Sequence, residues 1–156
     1  MRRLLSFTAV LLALLLGIYW YASPYLALRS MQAADLATQV AEAVAPKAEK
    51  QNVAFSAEIP ANLGEFMVDE VVLSAALVNI LENAVDACAD DKTKPAHEVS
   101  FRVRPDASGV FFEIEDNGVG MQPDTLARLF SVFFSTKGSR GTGLGLFIAK
   151  KAVDQH

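Results

Sequence analysis

The chain has 156 residues, 52% of them hydrophobic, and a formal net charge of -4. That length holds one modest domain plus an appendage, and the negative balance argues against a general nucleic-acid binder. A single cysteine, Cys88, excludes an intrachain disulfide framework and a cysteine-based zinc site, and His97 and His156 stand too far apart in sequence to suggest a histidine-rich metal site.

The apolar excess is concentrated at the start. Arg2-Arg3 precedes an uncharged, leucine-rich run over residues 4–22 that ends in Tyr19-Trp20-Tyr21-Ala22. Such a run is long enough to cross a bilayer as a helix with aromatics at the interface, so residues 1–25 read as an uncleaved membrane anchor. A cleaved signal peptide is the competing reading. Against it, bulky Trp20 and Tyr21 and then Pro24 stand where cleavage needs small residues.

Residues 26–52 are alanine-rich with scattered charges and read as a helical linker. Leu36, Val40, Ala43 and Val44 fall at helical spacing, which predicts a helix over 35–45, with Pro46 breaking the run. Residues 53–59 alternate like a strand, with Val53, Phe55, Ala57 and Ile59 on one face. A loop over 60–64 and a short extended piece over 65–68 come next.

Asp69 is a good N-cap for a helix reaching about Ala89, apolar nearly all round as a buried element should be. Cys88, near its end, reads as a small buried apolar residue. Asn79, Asn83 and Asp86 recur at spacings of four and three and form one narrow stripe, with Glu82 on its flank. An ordinary wet helix face is the plain alternative. The stripe lacks lysine and arginine, however, and amides gain little from a place on an exposed helix face. Oxygen donors aligned in this way suit a magnesium ion shared with phosphates.

A charged loop over 92–96 leads to an alternating strand over 99–104. The turn Pro105-Asp106-Ala107-Ser108-Gly109 then folds the chain back into a second strand. In that strand Val110, Phe112 and Ile114 share one face, and Phe111, Glu113 and Glu115 the other. Parity places Asp116 on the apolar face, where a carboxylate is costly unless something donates to it. The 6-amino group of adenine would serve, and Gly118 and Gly120 would let the backbone approach the ring. The alternative is that Asp116-Asn117-Gly118 is only a turn.

Pro123 opens a short helix reaching about Phe130. The stretch over 132–140 mixes aromatics with Ser, Thr, Gly and basic residues and reads as a mobile lid. Phe130, Phe133 and Phe134 clamp it to the body and Lys137 reaches a phosphate; a solvated basic loop is the alternative. Gly141-Thr142-Gly143-Leu144-Gly145-Leu146 then opens an apolar helix from Phe147 onward. Glycines at a helix start present unpaired N–H groups and the positive dipole end to an anion. No Gly-Lys-Ser/Thr comes after them, so the Walker pattern is absent, and no strand leads in, as a dinucleotide fingerprint would need.

Asn79-x-x-x-Asn83-Ala84, Asp116-x-Gly118-x-Gly120, Phe130-x-x-Phe133-Phe134 with Ser135-Thr136-Lys137-Gly138, and Gly141-x-Gly143-x-Gly145 resemble, in order and spacing, the N, G1, F and G2 boxes of sensor histidine kinases. The resemblance covers residues 36–156. It implies an α+β Bergerat fold: a two-layer α/β sandwich, a mixed sheet with helices on one face, here placed at 53–156 behind a transmembrane helix. It implies ATP and magnesium as cofactors, with Asn83 as the main magnesium contact and Asn79 its companion. Asp116 would bind the adenine amine while Gly118 and Gly120 line the base pocket, with Met121 also among the cofactor-binding residues. Lys137 and the backbone at Gly141, Thr142, Gly143, Leu144 and Gly145 would hold the phosphates, and Glu82, Asp86, Phe134 and Thr136 are also expected among the cofactor-binding residues.

The same resemblance implies partners: a histidine-bearing dimerisation domain, a response regulator and a second copy of the parent. No catalytic residue is expected on this chain, since the acceptor histidine is absent. His97-Glu98 mimics the acceptor dipeptide but precedes a strand, and His156 matches the histidine beyond the last box, which is not the acceptor. Ser131-Val132 replaces a common Glu-Pro in the F box. The chain stops at His156, where the family usually adds two strands, so the domain is expected to lack them. A bacterial inner-membrane, single-pass location with the ATP-binding domain in the cytoplasm is implied. The positive-inside rule points the other way, because Arg2-Arg3 on the cytoplasmic side would put the chain beyond the span outside.

Two alternatives stand beside a kinase domain. A hydrolytic ATPase of the topoisomerase or mismatch-repair kind would need an acidic base one turn before the magnesium asparagine, where this chain has Asn79. A catalytically incomplete, membrane-tethered nucleotide-binding or interaction module would need no chemistry at all.

Overall fold

A computed structural model of the chain describes residues 28–107, 109–135 and 142–156. The expected anchor at 1–25, and Thr136, Lys137 and Gly141, lie outside the described residues.

Helix α2 (Glu70–Asp90) is central. Asp69 caps it as expected, its Oδ1 accepting the Val72 N–H at 3.2 Å. Leu73, Leu77, Leu81, Ala84, Val85 and Cys88 form its buried face. Their spacing of three and four keeps them on one side of the helix. The length and hydropathy of α2 would suit a membrane span, yet its apolar side is spent on packing within the fold.

Helix α1 (Ala33–Lys50) lies against α2 and buries Leu36, Ala37, Val40, Ala41, Val44 and Ala48. The helix expected over 35–45 is therefore longer, and Pro46 does not break it. Pro46 sits on the exposed side, where the carbonyl it leaves without a partner can face water, and Ala48 fixes the next turn in the core. Residues just before α1 are not helical. Strand β1 (Arg29–Gln32) pairs antiparallel with β3 (Glu65–Val68), Arg29 opposite Val68 and Gln32 opposite Glu65.

The main sheet is mixed. Strand β2 (Ala54–Glu58) runs parallel to β4 (Glu98–Asp106), which pairs antiparallel with β5 (Gly109–Asp116). Alternation decides the layers: Val99, Phe101 and Val103 of β4 are buried toward the helices, and Phe112 stacks on Phe101 with centroids 6.3 Å apart. The opposite face carries Arg102, Arg104, Phe111 and Glu113, with Arg104 bonded to Glu113 at 3.1 Å and lying 4.5 Å over the Phe111 ring. Helices cover one face of the sheet and water the other, which makes the fold α+β with two layers.

Two short helices complete the described chain. Helix α3 (Pro123–Arg128) buries none of its residues and is shorter than the expected reach to Phe130. Helix α4 (Gly145–Asp154) starts two residues earlier than its apolar run suggests and docks on α2 through Ala149 and Ala152 against Ala76 and Ile80. His156 ties the far end: its Nε2 accepts the Asp69 N–H at 3.0 Å, while Nδ1 lies 2.7 Å from the Ala152 carbonyl oxygen.

Candidate functional site

The site is built along one side of α2. Asn83 Nδ2 donates to the backbone oxygen of Asn79 at 2.8 Å and to its Oδ1 at 3.1 Å, so the two amides form one unit. The start of α4 sits directly on that unit. A Cβ at Gly145 would fall 2.6 Å from Asn79 Nδ2 and 2.7 Å from Oδ1. A glycine there lets the helix terminus, with its outward N–H groups, come this near the Asn79 amide without displacing it.

Gly143 serves a different purpose. Its φ of +66° is a left-handed conformation, and a Cβ there would meet the Phe133 carbonyl carbon at 2.4 Å. The glycine turn is thus packed on the root of the expected lid, where Phe133 itself has a φ of 61°. Leu144 N–H reaches Thr142 Oγ1 at 3.4 Å inside this turn. The expected aromatic clamp is only partly present. Phe134 is half-buried beneath the Arg128 guanidinium, 4.5 Å above its ring, but Phe130 and Phe133 are exposed. They come after α3, which has no buried residue to anchor them.

The other end of the row is the turn after β5. Parity holds, since Asp116 lies beyond Ile114 on the helix side and pairs with Val99. Its carboxylate is nevertheless exposed rather than turned into the core, because parity fixes the face of a strand and not the depth of cover at its tip. Oδ1 accepts the Gly118 N–H at 3.0 Å, a local turn contact. Gly118 is needed for close approach: a Cβ would lie 2.4 Å from the Ala87 carbonyl carbon, and Val119 N–H donates to the Ala87 oxygen at 3.1 Å. Gly120 is needed for its φ of +67° and faces open space, as does the exposed Met121.

Asn79, Asn83 and Ala87 are successive four-residue steps on α2. At 1.5 Å per residue the row from the α4 start to the Gly118 turn spans about 12 Å. Gly145 against Asn79 and Gly118 against Ala87 therefore meet one row of α2 at its two ends, while Gly143 packs on Phe133 and Gly120 meets no neighbour.

Glu82 and Asp86 point to the flank of that row, toward α1. Lys47 Nζ lies 2.8 Å from Asp86 Oδ1 and 3.5 Å from Glu82 Oε2, and donates to the Glu82 carbonyl at 3.3 Å. The stripe that lacks a lysine of its own takes one from the neighbouring helix.

Sequence reasoning missed the groups that hold the Asp116 turn. Asp91, only 5% exposed, accepts from Thr93 through its N–H at 2.8 Å and hydroxyl at 2.6 Å, with Lys94 at 3.4 Å. The Thr93 bonds, with Lys94 beside them, hold its carboxyl down to about 2. Lys94 donates to the Asn117 and Gly118 carbonyls. Asn117 Oδ1 accepts the Glu98 N–H at 3.0 Å and lies 3.6 Å from the Cys88 thiol, which burial pushes up. The Asp91-x-Thr93 spacing was a readable turn signal; nothing local pointed Lys94 toward a turn 23 residues away.

The chain as a whole is similar to known proteins. Residues 68–156 match the family of histidine kinase-, DNA gyrase B- and HSP90-like ATPases, and the chain belongs to it. The C4-dicarboxylate transport sensor protein DctS of Rhodobacter capsulatus is 31% identical over 129 residues, which are 81% of this chain and 19% of DctS. Among solved structures, the catalytic domain of histidine kinase ThkA superposes with a TM-score of 0.69 at 24% identity, covering 82% of this chain and 80% of that one. Full-length ShkA in complex with AMPPNP gives 0.65 at 29% identity, covering 81% and 26%. ThkA in complex with the response regulator protein TrrA gives 0.59 at 18% identity, covering 70% and 31%. Within the family, the chain carries the ATP-binding catalytic domain of a two-component sensor histidine kinase. It spans about a fifth or less of the length of the curated relatives it matches.

Proposed function

We propose that this domain holds magnesium-ATP along α2 and presents its terminal phosphoryl group to a histidine on a separate dimerisation domain. The observation that carries the reading is the contact of Gly145 with the Asn79 amide, in line with Asn83 and the Asp116 turn.

The residues present fit the ligand. The α4 N-terminus meets the Asn79 amide at Gly145, and Asn79 is bonded in turn to Asn83, which sets a donor group for phosphate beside oxygen ligands for a hard cation. Gly120 faces open space, and the exposed Asp116 carboxylate four residues before it is able to accept from an amine. In this reading Asp116 accepts from the adenine amine, and Gly118, Gly120 and Met121 line the base. Asn83 and Asn79 hold magnesium, with Glu82 and Asp86 on the flank. Phe134, Thr136, Lys137 and the 141–145 backbone face the phosphates. Bound magnesium would neutralise phosphate charge as the transfer proceeds. Asn79 stands where a hydrolytic relative would need an acidic base, which favours transfer over hydrolysis.

The partners and setting are part of the same proposal: a histidine-bearing hairpin, a response regulator like the one crystallised with ThkA, a homodimeric parent, and a bacterial inner-membrane anchor at 1–25 with the ATP-binding domain in the cytoplasm; the stretch read as a linker over 26–52 supplies α1 to that domain's core. The test is calorimetric titration of the full chain with ATP, with and without magnesium. The chain is then incubated with a purified dimerisation hairpin and scored for acid-labile, base-stable phosphate on histidine. Magnesium-dependent binding and such transfer are expected. Exposed Phe133, Val119 and Met121 favour the second reading, an interaction module; absence of magnesium-dependent ATP binding would select it.

A further inference from the structure

Lys94 lies in a loop outside every motif, yet two successive carbonyls of the Asp116 turn point at its ammonium. Lys94 Nζ donates to the Asn117 oxygen and, at 3.2 Å, to the Gly118 oxygen, and it lies 3.4 Å from Asp91 Oδ2. Asp91 is itself fixed by Thr93. The lysine is therefore anchored on one side and clamps the turn on the other.

The clamp acts through peptide geometry. In a planar trans peptide the C=O and the next N–H point in opposite directions. Turning the Asn117 carbonyl toward Lys94 aims the Gly118 N–H at Asp116 Oδ1, 3.0 Å away. Turning the Gly118 carbonyl toward Lys94 aims the Val119 N–H at the Ala87 oxygen, 3.1 Å away. Flipping either peptide plane would break one of these bonds, and a glycine between them makes such a flip easy.

We propose that Lys94 is a positioning residue for adenine recognition. It holds the two peptide planes from Asn117 to Val119, and through them the Asp116 carboxylate, in the arrangement that receives the base. This rests on the nucleotide reading above. It also separates the ends of the ligand: Lys94 governs the base end, and the asparagines and the α4 start govern the phosphate end.

The experiment compares the full wild-type chain with Lys94→Met and Lys94→Arg, titrating ATP and inorganic tripolyphosphate, each with magnesium, and tracking hydrogen exchange at the Gly118 and Val119 amides. Loss of a charge-assisted clamp predicts about tenfold weaker ATP binding in Lys94→Met with tripolyphosphate changed by less than about twofold. Both amides exchange faster, and Lys94→Arg restores most of the loss. Equal weakening of both ligands, or ATP binding unchanged, overturns the assignment. Should Lys94→Met not fold, Asp91→Asn removes the anchor instead and is expected to give a smaller loss confined to ATP; equal losses again overturn it. A wild-type chain that fails to bind ATP would remove the nucleotide reading itself, whereas wild-type binding with an unaffected Lys94→Met removes only the clamp.

Discussion

Gly145 opens α4 against the side-chain amide of Asn79, so close that a methyl group there would sit 2.6 Å from Nδ2. The obstacle is the tip of a side chain and can swing aside. Gly145→Ala is therefore expected to leave stability within about 1 kcal/mol of wild type, since alanine also gains helix propensity. Displacing Asn79 breaks its bond with Asn83, and magnesium-dependent ATP binding is expected to weaken about tenfold. Denaturant titration and calorimetry on the same variant separate the two effects.

Gly118 faces backbone instead, with the Ala87 carbonyl carbon 2.4 Å from a would-be Cβ. Neither the helix nor the turn can yield locally, so Gly118→Ala is expected to cost about 3 kcal/mol. Gly120→Ala meets no atom and carries only the strain of its positive φ, about 1 kcal/mol. Urea unfolding should rank the two in that order.

The row of asparagines was legible in the sequence because helical spacing is local: residues four apart share a face whatever surrounds them. The glycine turns were legible for the same reason. Strand β1 was not, since its pairing with β3 joins Arg29 to Val68 across an intervening helix. Nor was the pairing of Lys47 with Asp86, which depends on how two helices lie together. Parity gave Asp116 its face but not its exposure, and aromatic character gave Phe133 an anchoring role that the chain around it does not support.

Lys47 joins α1 to two carboxylates one turn apart on α2. Lys47→Met leaves Glu82 and Asp86 to repel each other. Because these groups are partly exposed, the expected cost is only about 0.5–1 kcal/mol. The penalty should shrink in high salt, which a denaturation series at two ionic strengths would reveal.

Asp91 gives the fold a signature in acid. Its carboxyl is held down to about 2 by Thr93 and Lys94, against an ordinary value of 3.8. A depressed acid stabilises the fold fully above its unfolded value, and that contribution is lost as pH falls from about 4 toward 2. Asp91→Asn is expected to lower stability at neutral pH and to flatten the pH dependence across that window. Chemical denaturation of both proteins at stepped pH checks the difference in slope.

The central claim is that the Asp116 turn, the Asn79–Asn83 pair and the start of α4 receive one ligand. Nuclear magnetic resonance titration of the full chain with magnesium-ATP tests it most directly, by monitoring the Gly118 and Gly120 amides, the Asn79 and Asn83 side-chain amides, and the Gly143 and Gly145 amides. All three groups are expected to shift together with a single dissociation constant. Shifts confined to one group, or groups that titrate with separate constants, would contradict the account.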